Sequence, residues 1–370
     1  MISLVHVDRQ FQSMKKEILE CVEKVLDSGQ YILGEQGELF EKEASDYLNN
    51  SFTVNVANGT DALVLALRAL DIGVGDEIIT TPFTFFATAE AISRVRATPV
   101  FVDIDPITFN INENEIEKKV TNRTKAIIPV HLFGQACNMD QIKKIADNHN
   151  LYIVEDACQA FGGEWKGAKL GTIGDIGCFS FFPTKNLSTI GDGGLVVTKH
   201  HDIAERIKKL RHHGSRVKYM HDEVGYNSRL DELHASILRV CLTKIDRWNE
   251  ERYQKALIYK KHLSDLSAFI LPPTPSNKEH VYHLYCVEHH DRDKIVQYLS
   301  NKNIASGIYY PEPLHLQNVY QHLGYSVGDF PTSEEKSKSL FALPMHPFLT
   351  EEEQMRVIDA LKEYEQRNIE

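Results

Sequence analysis

The sequence predicts an α/β protein, with a mostly parallel central sheet in a large domain and a small C-terminal α+β domain. Three observations carry this. Strand-like and helix-like segments alternate from about residue 50 to 200, the pattern of a parallel sheet covered by crossover helices. The strands are continuous apolar runs, as expected of a sheet buried on both faces. After about residue 265 the alternation stops at Leu271-Pro272-Pro273-Thr274-Pro275, a linker-like stretch. A chain of 370 residues accommodates two domains. The division is placed between 1–245, N-terminal helix included, and 246–370.

The elements follow in order. The first strand is predicted over 52–57. Leu63, Leu67 and Leu70 at helical spacing predict a helix over 60–70, ended by Asp71-Ile72-Gly73. A strand over 77–80 leads to a helix over 85–94. Strands over 99–104 and 126–130 follow. Ile142, Ile145 and Ala146 mark one face of an amphipathic helix over 139–148. Further strands are predicted over 151–154, 177–182 and 195–198. Residues 201–262 read as helical, with a break around 214–227. In the small domain the sequence predicts strands over 282–287 and 306–310, and helices over 291–299 and 351–364.

The totals narrow the function. The formal charge of -11 argues against nonspecific nucleic-acid binding, which needs basic surface. No apolar stretch is long enough to span a bilayer, and the first residues lack the basic segment and long apolar core of a secretory leader. A cytoplasmic protein is expected. The six cysteines form no CxxC pair, so a zinc ribbon or thioredoxin-type motif is not expected. Buried free thiols in a reducing compartment are the simplest account. Of the seventeen histidines, His200-His201, His212-His213 and His289-His290 are adjacent. Neighbouring side chains on regular elements point apart, so these are poor chelating pairs. No catalytic metal is expected.

Lys185 is the most informative residue. It follows the apolar run Phe179-Ser180-Phe181-Phe182 and precedes the glycine turn Gly191-Asp192-Gly193-Gly194. A lysine at the end of a buried strand loses ammonium stability through desolvation, and a neutral amine is what a Schiff-base nucleophile needs. Alone, it reads sooner as a solvated loop lysine, as most lysines are. Three other segments bear on the choice. Asn58-Gly59-Thr60-Asp61 forms a strand-to-helix turn whose free amides suit a phosphate, or simply an N-cap. Asp156 follows a buried strand, where an acid needs a cation such as a protonated pyridine nitrogen, or caps a helix. Phe85 follows a strand end and can stack on a planar ring, or pack in the core.

The order of these features along the chain resembles the large domain of fold-type I pyridoxal phosphate (PLP) enzymes. More closely, the chain is similar to the DegT/DnrJ/EryC1/StrS sugar aminotransferase family. The resemblance rests on 58–63, Glu155-Asp156-Ala157-Cys158-Gln159-Ala160, 180–185, 191–194, Gly225-Tyr226-Asn227-Ser228-Arg229-Leu230-Asp231, 307–311 and Pro313-Leu314-His315-Leu316-Gln317. It implies pyridoxal 5′-phosphate as cofactor and Lys185 as its Schiff-base lysine and proton carrier. Asp156 would pair with the ring nitrogen, Gln159 approach the phenolic oxygen, and Phe85 stack on the ring. Gly59, Thr60 and Ser180 would hold the phosphate. Asn227 would reach the phosphate in a neighbouring subunit, which makes a homodimer with shared sites. Arg229 would bind an anionic substrate group, or pair with Asp231 or Glu232. Tyr219, Tyr309, Tyr310 and His315 are further substrate candidates. Asn58, His234 and Tyr309 depart from the common pattern, where serine, glutamine and histidine are frequent.

The implied reaction moves an amino group from L-glutamate to a nucleotide-linked keto sugar, with C3 of a dTDP-3-keto-6-deoxyhexose as the nearest branch. Amination at C4 of a UDP- or dTDP-linked sugar is the rival. The product class implies deoxyamino-sugar supply to lipopolysaccharide, O-antigen or S-layer glycans. A related dehydratase branch carries histidine in place of the lysine, and Lys185 argues against it. A nicotinamide-dependent enzyme would need a glycine-rich dinucleotide turn, G-x-G-x-x-G, absent here. A non-catalytic PLP-binding regulator is a further alternative, against which Lys185, Asp156 and Gln159 all speak.

Overall fold

The structure, a computed structural model, describes residues 1–49, 51–275 and 278–369. Seven strands form the central sheet: β1 (Phe52–Val56), β2 (Glu77–Thr80), β3 (Thr98–Phe101), β4 (Thr124–Ile127), β5 (Tyr152–Asp156), β6 (Ile176–Ser180) and β7 (Gly194–Thr198). Their order is β1-β7-β6-β5-β4-β2-β3. Only β7 runs against the others, pairing antiparallel with both β1 and β6. The predicted mostly parallel sheet is therefore present, within a residue or two at most strand ends.

Alternate residues of each strand enter opposite cores, which explains the continuous apolar runs. Ile78, Val154, Cys178 and Val196 pack against the almost wholly buried helix Gly59–Ala69 on one face. Phe179, Leu195 and Val197 meet Phe40 and Leu238 on the other. On that second face Ile79 and Ile127 meet Ile142 and Ile145 of the helix Met139–His149. Helices Val7–Ser13, Lys15–Ser28 and Glu35–Tyr47 precede the sheet, where the sequence suggested a single one.

A third core lies in the C-terminal part, around Tyr259, Leu263, Tyr285, Val287, Ile295, Phe341, Leu343 and Leu361. The helix Ile245–Leu263 enters both regions, with Ile245 and Trp248 on the sheet side. Ile2 joins the C-terminal core and pairs with Ile304. Residues 271–275 carry no regular structure, as the proline content requires.

One small-domain expectation and one helix boundary need correction. Residues 306–310 are not a strand: only Gly307 pairs, by one bridge to Ala342. Pro311 removes the next donor, and the Tyr309 ring occupies the space beside Gly307. The partner of Tyr285–Glu288 is instead Leu340–Leu343, a run too short for periodicity to reveal. The expected helix over 85–94 starts at Ala87, leaving Phe85 in the loop before it.

Candidate active site

Because β1, β2, β5 and β6 run parallel, their C-terminal ends share one edge of the sheet, where open α/β sheets bind ligands. That edge borders a cavity of about 870 Å³. Gly59, Thr60, Phe85, Asp156, Gln159, Ser180 and Lys185 all line it, as do Tyr309 and Tyr310. The start of β7 lies at the same edge and brings Asp192 there.

The turn after β1 is built for close approach. Asn58 caps the helix, its side chain accepting from Asp61 N at 2.8 Å. The N-cap is thus Asn58. The amides of Gly59 and Thr60 have no acceptor among the described residues and stand at the positive end of the helix dipole. A Cβ on Gly59 would lie 2.7 Å from Ser180 Cβ and 3.0 Å from Cys158 Sγ. A Cβ on Gly194 would lie 2.4 Å from the Asn58 carbonyl. Only glycine lets these segments meet.

Asp156 is 6% exposed and has no cation within ion-pair distance among the described residues. Its Oδ2 accepts from Thr88 Oγ1 at 2.8 Å, and its Oδ1 from Cys158 N at 3.2 Å. Gln159 is oriented without ambiguity: Oε1 accepts from Phe133 N at 2.8 Å. Its amide nitrogen therefore points the other way and donates to Tyr310 Oη at 3.2 Å. The Phe85 ring, 59% exposed, has no aromatic partner among the described residues and forms an open face of the cavity.

Lys185 sits in the loop after β6, its amide donating to Phe182 O at 2.8 Å. Burial pushes its ammonium below the ordinary lysine range, and the neighbouring Cys158 and Asp156 only partly oppose this. The neighbouring Asn186 donates to Val281 O at 2.9 Å and to Asn249 Oδ1 at 2.8 Å. This ties the lysine loop to the segment carrying His283, a buried cavity residue whose imidazole is held neutral chiefly by burial. Sequence reasoning missed His283, Thr84 and Thr88. The threonines flank Phe85 in the sequence, where a lone hydroxyl carries no signal of a distant acceptor.

Four candidates lie outside this chain's cavity. Asn227 is exposed and accepts from Arg229. Arg229 also meets His212 Nδ1 at 3.1 Å, and the alternative pairing with Asp231 or Glu232 is not seen among the described residues. Glu232 is occupied by the amides of Gly34, Gln36 and Gly37. Tyr219 is 83% exposed beside the short strand Met220–His221. His315 is a correction: it is buried and faces Glu334 Oε1 at 3.1 Å away from the cavity, within the cluster of Phe330. His234 contacts the turn before β7, its Nδ1 at 3.0 Å from Asp192 O.

The adjacent-histidine argument also needs correction. His289 and His290 do not point apart: their rings stack at 4.4 Å, with Asp291 close by. Stacked rings keep their nitrogens in parallel planes, however, and His289 Nδ1 already accepts from Asp291 N at 2.9 Å. The six cysteines are all free.

A desolvated lysine, a buried uncompensated carboxylate, an open aromatic face and free helix amides on one α/β edge define a cofactor-dependent group-transfer enzyme. The chain belongs to the DegT/DnrJ/EryC1/StrS aminotransferase family, whose model matches residues 12–362. It is 42% identical over 364 residues to the dTDP-3-amino-3,6-dideoxy-alpha-D-galactopyranose transaminase of Aneurinibacillus thermoaerophilus, covering 98% of each chain. It is also 42% identical over 365 residues, again 98% of each, to a pleiotropic regulatory protein of Geobacillus stearothermophilus. Its fold matches that of DesV from S. venezuelae, solved in complex with a ketimine intermediate. The TM-score is 0.96, with 39% identity and 98% of each chain covered.

The cofactor of this family of aminotransferases is pyridoxal phosphate, and the residues present fit it. The cradle that a Cβ at Gly59 would fill suits a phosphate beside free amides. The unpaired charge of Asp156 suits a pyridinium.

Proposed function

We propose that the enzyme transfers the amino group of L-glutamate to C3 of a dTDP-linked 3-keto-6-deoxyhexose. The observation that carries the chemistry is Lys185 sharing one cavity with Asp156, Gln159 and the Gly59 turn. The C3 assignment is supported by 42% identity to a transaminase whose product bears nitrogen at that carbon.

When bound, the cofactor supplies an electron sink that weakens the bond to hydrogen at the carbon bearing nitrogen. The rest is done by the chain. The amides of Gly59 and Thr60 and the Ser180 hydroxyl hold the phosphate. Asp156 keeps a proton on the ring nitrogen. The Gln159 amide group donates at the phenolic edge. Phe85 covers one ring face and excludes water from it. Lys185, whose proton affinity is lowered by burial, would carry the proton between the amino donor and the cofactor. Its lowered proton affinity matters because an ammonium could not act as that base.

Asn227 completes the phosphate site of a second subunit in this reading, so the working assembly is a homodimer. Its exposure outside its own chain's cavity, together with exposed Val217, Tyr219, Met220 and Val224 nearby, supports this. Arg229 and Tyr219 then serve the partner's substrate, whereas Tyr309 and Tyr310 serve their own. The division at 245/246 stands as the proposed domain boundary. No helix among the described residues is long and apolar enough to cross a membrane, and a cytoplasmic supply of amino sugars for surface glycans fits the proposal.

The test incubates the purified protein with glutamate and, separately, 3-keto and 4-keto nucleotide sugars, and identifies products by NMR. A 3-amino product is expected. A 4-amino product would replace the C3 assignment with the C4 reading, and no turnover with bound cofactor would favour a regulatory role.

A further inference from the structure

The carboxylate of Asp156 is fixed by two hydrogen bonds on opposite oxygens. An ionised carboxylate only accepts, so the Thr88 hydroxyl is the donor at 2.8 Å and its single proton is committed there. The 3.1 Å contact between Thr84 Oγ1 and Thr88 Oγ1 must then have Thr84 as donor. The result is a one-way chain, Thr84 to Thr88 to Asp156. All three residues are nearly sealed, at 2%, 1% and 6% exposure, and Thr84 and Asp156 also line the cavity. A hydroxyl delivered to a buried carboxylate from 68 residues away fixes its orientation and engages one of its oxygens as an acceptor.

We propose that Thr88, oriented by Thr84, is a positioning residue that acts through Asp156. It keeps the proton shared by Asp156 and the cofactor's ring nitrogen on the nitrogen. The inference rests on the reading of the cavity as a pyridoxal phosphate site. The competition is between two bases. Pyridine nitrogen holds the proton only while the facing carboxylate is the weaker base. Each donor to Asp156 shifts that balance toward the ring, which is the protonation state that makes the ring an electron sink. Without the Thr88 hydroxyl, one Asp156 oxygen loses its donor and the proton moves toward the carboxylate.

The experiment loads wild type, Thr88→Val, Thr88→Ser and Thr84→Val with pyridoxal phosphate labelled with ¹⁵N in the ring. The ring ¹⁵N shift is measured together with the glutamate half-reaction. For Thr88→Val the shift should move from the pyridinium toward the neutral pyridine position. Its kcat should fall about 10- to 100-fold, the range spanned by a hydrogen bond to a charged group, with KM for glutamate little changed. Thr88→Ser keeps the hydroxyl and should behave as wild type, and Thr84→Val should fall between. Should Thr88→Val not fold, Thr88→Ala carries the same readouts. A Thr88→Val or Thr88→Ala protein that keeps both the pyridinium shift and kcat overturns the proposal, as does a Thr88→Ser protein that loses them. Wild type that takes up no cofactor overturns the cofactor reading itself, an outcome distinct from a loaded wild type matched by its variants.

Discussion

Lys185 and Gly59 show how differently two residues serve one site. Lys185 contributes reactivity through desolvation, and the cost falls on the folded state. Its folded-state proton affinity lies below that of the unfolded chain. The unfolded chain therefore binds more protons below the ordinary lysine value of 10.5, and cofactor-free stability rises with pH toward it. Cofactor-free Lys185→Met should accordingly be more stable than cofactor-free wild type at neutral pH, read by urea unfolding, with the gap closing as pH approaches 10. The same variant should hold no cofactor after borohydride reduction and denaturation, whereas wild type should carry it covalently. Gly59 contributes only absence. Gly59→Ala would press a methyl against Ser180 and Cys158. It should cost about 1–3 kcal/mol, as overpacking does, and should weaken cofactor retention, measured by dialysis and absorbance. The sequence pointed to both residues, but the clash that forbids a side chain at Gly59 is visible only in three dimensions.

Single residues act here by fixing whole elements. Asn58 holds the N-terminus of the helix Gly59–Ala69, and Asn58→Ala should cost about 1 kcal/mol, the usual value of a cap, read as a lowered Tm. Glu155 organises the loop after β5. It is fully buried and accepts from His131 Nε2 and the amides of Gly171, Ile173 and Gly174. Burial pushes its carboxyl up, but the His131 bond and the amides outweigh this and leave it below the ordinary value of 4.5. A folded-state value below the unfolded one stabilises the fold above about pH 4.5, and that stability is lost as pH falls through the folded value. Glu155→Gln turns an amide donor toward other donors. It should cost about 1–3 kcal/mol at neutral pH, the penalty of an unsatisfied buried group, and less in acid, where wild type loses the same contribution. Urea unfolding at pH 7 and pH 4 tests this. Glu155 and Asp156 are adjacent acids in one strand, and apart from the family pattern their local sequence does not separate an anchor from a site residue. The alternation of strand faces decides it.

At the level of the molecule, the cavity draws on distant parts of the chain, from Leu4 and Val5 to Tyr310, while Asn227 stays outside. If Asn227 serves the neighbouring subunit, Lys185→Ala and Asn227→Ala proteins should each be weak alone. Unfolded and refolded together, they should regain about a quarter of wild-type activity: random pairing in a two-fold dimer makes half the dimers mixed, each with one intact site. Failure to recover activity, with dimers confirmed by sedimentation, would remove Asn227 from the shared site.

The sequence by itself determined the parallel sheet, the family and the residues standing at strand ends, because these depend on local patterns: apolar runs, a turn glycine, an acid or lysine just past a strand. Only the tertiary structure decided which of them meet. It brought Thr88 to Asp156 and His283 toward Lys185, removed His315 from the cavity, and replaced the expected strand over 306–310 with Leu340–Leu343. Those outcomes turn on contacts between residues far apart in the chain, for which a single sequence carries no periodic signal.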